Sequence, residues 1–198
     1  MGTGSASWSP VDDAARDDRF LRSLLEATEN ALRSRGACPR PLELELDSRA
    51  FSRPDGRKVG FGSSAAAAAA FCLLAGRAAG LEGEALEAFA LEAALSGHRA
   101  AQGGRGSGYD VYASLHGGAG LFEGGKVPRW AALPGLAIPE GRVFAGPGPV
   151  SSAAAVAAFE GWSARDPAVS ARLLEASERA VRSLVAAPGP AAFLERLG

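Results

Sequence analysis

Between Lys58 and Gly76 the chain reads KVGFGSSAAAAAAFCLLAG, a glycine-bracketed loop that runs without interruption into an alanine-rich stretch. Alanine has the highest helix propensity, and nothing in the run breaks it, so a buried helix is predicted over Ser63–Gly76. A loop that enters a helix in this way presents unpaired backbone N–H groups at the positive end of the helix dipole, which suits a phosphate. Gly60 and Gly62 let the backbone approach an anion closely, and Ser63 and Ser64 add hydroxyls to the first turn. The Gly-Lys-Ser/Thr ending of a P-loop is absent, and an ordinary serine-capped helix after a turn carries the same residues.

The remaining pattern mixes helices with short strands. From Asp12 to Arg35, apolar Phe20, Leu21, Leu24, Leu25, Ala31 and Leu32 recur at three-to-four spacing, predicting an amphipathic helix that ends near Gly36. In Pro41–Asp47, Leu42, Leu44 and Leu46 alternate with acids, the period of a half-buried strand, and Pro54–Gly56 marks a turn. A helix is expected over Glu84–Ser96, stopped by Gly97, followed by a loop over residues 98–109 and a short helix over Asp110–His116. Strands are expected at Leu121–Val127 and Arg142–Ala145, with Trp130 between them. Helices follow over Ser151–Trp162, Asp166–Val185 and Ala191–Leu197. Pro147, Gly148 and Pro149 mark a boundary between an expected domain over 1–146 and a second over 147–198.

Composition narrows the partners. The chain is 47% hydrophobic and 22% charged, enough apolar surface to fold, and its formal net charge of −1 lacks the basic footprint of a nucleic-acid or anionic-membrane binder. The longest apolar run, Ala65–Ala75, is too short to span a bilayer, and the first residues do not read as a secretory signal. A small-molecule partner and a cytoplasmic location are the expectations. Cys38 and Cys72 offer neither a disulfide framework nor metal spacing, and both read as inert. His98 reads as a helix-end residue and His116 as a surface or core one; nothing between them suggests zinc.

A second candidate site is GHRAAQGGRGSGYDVYASLHGG, Gly97–Gly118. So many glycines make a poor structural segment but a good frame for bringing backbone close to a ligand. Asp110 is its only acid and stands where loop becomes helix. A carboxylate there can accept or orient a substrate hydroxyl proton during phosphoryl transfer, or it can simply cap the helix.

VGFGSSAA is similar to the PxxxGLGSSAA motif of the GHMP kinases, with Phe61 where leucine is usual. QGGRGSGYDVYASLHGG, from Gln102, resembles the QGxxGSGxDVxxAxxGG segment of the phosphomevalonate kinase branch. A fainter likeness lies in GPGPVSSAAAVAAFEGW, Gly146–Trp162. The resemblance implies an α+β fold: a GHMP-kinase N-terminal domain, ribosomal protein S5 domain 2-like, followed by the start of a helical, ferredoxin-like C-terminal domain. It implies transfer of the γ-phosphate of ATP, with Mg²⁺, to a small metabolite of isoprenoid synthesis. Gly60, Phe61, Gly62, Ser63, Ser64 and Ala65 would wrap the phosphates, Ser64 would help hold Mg²⁺, and Asp110 would orient or deprotonate the acceptor. Ser107 and Gly108 would shape the acceptor pocket. Lys58 is placed to reach a phosphate and Arg105 an anionic acceptor, although each is equally consistent with a solvated side chain.

The family opens with a strand bearing a lysine and a Gly-Glu motif, and closes with a third glycine-rich motif. Neither is found here, so the expectation is a chain shortened at both ends. Unpaired sheet edges would then call for a homo-oligomer or a second chain. Two rivals follow: the same core serving mevalonate, homoserine or a sugar, and a catalytically inactive nucleotide-binding or assembly module.

Overall fold

The computed structural model describes residues 18–38, 42–47, 49–52, 59–60, 62–104, 106–134, 136, 152–187 and 189–197. Its contacts separate two compact units, Met1–Gly117 and Gly118–Gly198. The boundary expected at Pro147–Pro149 lies outside the described residues, as do the turn at 54–56, the strand expected at 142–145 and the helix residues expected at 12–17.

The first unit is built on four helices: α1 (Arg19–Ser34), α2 (Ser63–Ala78), α3 (Gly83–Ala101) and α4 (Tyr109–His116). The central element is α3, which packs against each of the other three. The period of α1 turns Leu24, Thr28, Ala31 and Leu32 inward, and the Thr28 hydroxyl is satisfied by donating to the Leu24 carbonyl at 2.7 Å. Leu24, Leu32 and Phe89 are fully buried side chains, each contributing about 1.5–3 kcal/mol by burial. The alanine-rich α2 was expected to be buried. It buries one face, through Ala65, Ala68, Ala69 and Cys72, and leaves Leu74 48% exposed on the other.

The structure corrects two expectations in this unit. Gly97 does not stop α3, which continues through it to Ala101, so the expected loop begins four residues later than residue 98. Gly97 is there for proximity: a Cβ at this position would lie 2.8 Å from the Leu24 Cα. The alternating segment Leu42–Asp47 forms no strand, and Leu42 and Leu46 are exposed. Period-two alternation becomes a strand only where a partner completes the ladder, and none pairs with it among the described residues. Asp47 instead turns its carboxylate to the Arg49 backbone N–H and guanidinium at the 3₁₀ turn Arg49–Phe51.

In the second unit, β1 (Gly120–Glu123) pairs antiparallel with β2 (Arg129–Ala132), and Phe122 stands opposite Trp130. The first strand was expected to run to Val127; it stops at Glu123, where Gly124–Gly125 begins the turn, and Trp130, expected between strands, lies in β2. Helices α5 (Ser152–Arg165), α6 (Pro167–Val185) and α7 (Pro190–Leu197) follow. Asp166 caps α6 by accepting from the Val169 N–H at 3.1 Å, with Pro167 in the first turn where its missing N–H costs nothing. Together the elements make an α+β chain that is mostly helical among the described residues, with one small sheet.

Candidate functional site

The N-terminal end of α2 begins at Gly62, in the left-handed conformation at φ +71°, and no side chain caps the helix. The N–H groups of its first turn are therefore unclaimed by a cap, at the positive end of the dipole. A Cβ added at Gly60 or Gly62 would meet nothing within 4 Å, so the space beside the loop is open. Ser63, Ser64 and Ala65 occupy the first turn, and Ala65 is fully buried, which anchors the turn in the core.

The start of α4 repeats the design. Its N-cap is Gly108, again left-handed at φ +88°, and a Cβ there would meet Leu95 Cδ1 at 2.1 Å. Tyr109 and Asp110 open the helix; one oxygen of the Asp110 carboxylate accepts the Val111 N–H at 2.9 Å, and the side chain is 27% exposed. The loop before it is held by Arg99, whose Nε donates to the Gly106 carbonyl at 2.9 Å and whose Nη2 donates to the Ser107 carbonyl at 2.6 Å.

Between the two helix starts stands His98, on the last turns of α3 and 1% exposed. Its Nε2 lies 3.1 Å from Ser64 Oγ, 3.4 Å from the Gln102 side-chain nitrogen and 3.8 Å from Asp110 Oδ2. One ring nitrogen thus connects a hydroxyl from the glycine loop's helix with the carboxylate of the second glycine-rich segment.

Among the described residues there is no group of three His, Cys, Asp or Glu able to hold a metal ion. The donors do suit magnesium bound chiefly through phosphate oxygens, which typically takes only one or two protein oxygens, such as the Ser64 hydroxyl. No helix among the described residues is long and apolar enough to cross a membrane.

A family model described as GHMP kinases N terminal domain matches residues 20–118. The chain belongs to the GHMP kinases. No curated protein and no solved structure matches it. The matched stretch of this GHMP kinase runs from α1 to the end of α4 and holds Ser64, His98 and Asp110.

Of the residues singled out in the sequence, Gly60, Gly62, Ser63, Ser64 and Ala65 lie at the start of α2, and Ser107, Gly108 and Asp110 at the start of α4. Ser64 and Asp110 meet through His98; Lys58, Phe61 and Arg105 lie outside the described residues. His98 reads as a helix-end residue in the sequence, and it does lie in the last turn of α3, but sequence reasoning assigns no role in the site to His98, Arg99 or Gln102. A signal for His98 was present: Leu86, Phe89, Ala90, Ala93, Ala94 and Gly97 form the buried stripe of α3, and continuing its spacing by one step places His98 on the same stripe. Arg99 carries no such signal, because its partners are backbone carbonyls of a loop.

Proposed function

We propose that this GHMP kinase transfers the γ-phosphoryl group of ATP to a small phosphorylated or hydroxylated metabolite, in the manner of the phosphomevalonate kinase branch of isoprenoid synthesis. The observation that carries the reading is the convergence of two helix starts that each follow a left-handed glycine, one with the Ser64 hydroxyl and one with the Asp110 carboxylate, on the buried His98. Gly60, Phe61, Gly62, Ser63, Ser64 and Ala65 would surround the phosphates, with Lys58 reaching them from before the loop. Magnesium, held by Ser64 together with phosphate oxygens, would neutralise charge on the transferred group.

The acceptor oxygen attacks the γ-phosphorus, the bond to the β–γ bridging oxygen breaks, ADP leaves with that electron pair, and Asp110 orients or takes the acceptor's proton. Ser107 and Gly108 would shape the acceptor pocket, and Arg105 would pair with an anionic acceptor. The second unit would be the start of the family's helical, ferredoxin-like C-terminal domain. In this reading the protein works in the cytoplasm, as a homo-oligomer or beside a second chain.

Calorimetric titration with a non-hydrolysable ATP analogue and Mg²⁺ tests the reading, beside a Gly62→Asp variant that sets a carboxylate where the phosphates would lie. Saturable binding that the variant loses, while its circular dichroism stays native, supports it. A folded wild-type chain that takes up no nucleotide overturns it.

A further inference from the structure

His98 is a buried polar side chain to which neither glycine-rich motif assigns a role. Its ring meets Phe20 edge to face, with centroids 6.3 Å apart, and its Nδ1 is buried with no hydrogen-bond partner among the described residues. A buried polar atom left without a partner is unfavourable, so packing alone would place an apolar residue here more cheaply. What the imidazole gains lies at the other nitrogen, which is 3.1 Å from Ser64 Oγ and 3.8 Å from Asp110 Oδ2; the Gln102 amide, 3.4 Å away through its nitrogen, fits a proton on Nε2 once it turns over to present its oxygen. The carboxylate on that side favours a proton on Nε2 and disfavours a bare lone pair there.

We propose that His98 is a positioning residue of the phosphoryl-transfer site, fixed as the Nε2–H tautomer, which donates to Ser64 Oγ and holds that hydroxyl in register with Asp110. This rests on the reading of the site given above. With one lone pair taken by His98, the Ser64 oxygen keeps its own proton for a phosphate oxygen and its second lone pair for magnesium. Without the imidazole, the hydroxyl is free to sample its other staggered rotamers, and the first turn of α2 loses its polar link to the start of α4.

The tautomer is read directly from the imidazole nitrogen resonances of ¹⁵N-labelled protein, and with two histidines in the chain a His116→Gln variant completes the assignment. A single Nε2–H tautomer at His98, with an Nε2 resonance that moves in Ser64→Ala, is the expected result. An Nδ1–H tautomer, or signals indifferent to Ser64→Ala, overturns the proposal. The second arm measures how far Mg²⁺ strengthens binding of the non-hydrolysable ATP analogue in His98→Phe, which keeps the ring, and in His98→Gln, which returns an N–H near the Nε2 position. The phenylalanine variant should lose about 10–100-fold of the magnesium-dependent affinity, and glutamine should recover part of it. Equal losses in both variants, or none in either, overturn the positioning role. A wild-type chain that binds no nucleotide overturns the phosphoryl-transfer reading itself, and the positioning role falls with it.

Discussion

Gly97 backs directly onto Leu24: a Cβ at 97 would stand 2.8 Å from the Leu24 Cα and 3.1 Å from the Ser23 carbonyl oxygen. The obstacle is backbone, which cannot turn aside as a side chain can. Gly97→Ala therefore sets about 1 kcal/mol of helix propensity gained against about 1–3 kcal/mol or more of overpacking, and the overpacking wins. Thermal melting should show a less stable first unit. Gly161, in α5, has nothing within 4 Å of its would-be Cβ, so Gly161→Ala should be neutral or stabilising by up to about 1 kcal/mol. A stabilised Gly97→Ala would contradict the packing described for α1 and α3.

Asp110→Asn keeps the oxygen that accepts the Val111 N–H but removes the negative charge. Nucleotide affinity should hold or rise slightly, while turnover should fall roughly 10²–10⁴-fold, the usual contribution of a positioned general base. Phosphate release measured across a panel of acceptor metabolites checks this; equal turnover in the two proteins would remove Asp110 from the chemistry.

Arg99 ties the carbonyls of Gly106 and Ser107 to α3, and its hydrogen bonds are charge-assisted. Arg99→Ala should loosen the loop ahead of Asp110 by about 1–2 kcal/mol, discounted from the buried value because part of the contact is exposed. Amide hydrogen exchange would show the change at residues 106–108 and little elsewhere in the first unit.

Burial pushes the Cys72 thiol up to about 12, with the Thr28 hydroxyl, 3.6 Å away, pulling slightly the other way. A folded value above the unfolded one means that the contribution to stability is complete below about pH 9 and is lost as pH climbs toward 12. The slope should approach about 1.4 kcal/mol per pH unit in that window. Urea titrations at rising pH should show it, and Cys72→Ala should remove that share. At neutral pH a maleimide should label exposed Cys38 in the folded chain and reach Cys72 only after unfolding.

Helices were the readable part of this sequence because their evidence is local. The spacing of Leu24, Ala31 and Leu32 and the uninterrupted alanines after Ser64 each specify a helix without reference to the rest of the chain. The acidic alternation from Leu42 to Asp47 specifies only half of a strand, the other half being a partner that sequence period cannot supply. Gly97 was misread for a related reason: a glycine at a helix end and a glycine at a helix crossing look alike until Leu24 is seen behind it. The two glycine-rich segments stood out by composition. The meeting of their helices at His98 depends on how α3 rotates in the core, and a single histidine beside a glycine does not announce that.

Ser64, His98 and Asp110 all fall within the first compact unit, which closes at Gly117. Domains form in order as a chain leaves the ribosome. The three side chains can therefore be brought together while the hairpin and the last three helices are still being synthesised, and errors in the later part of the chain would reach a centre already assembled.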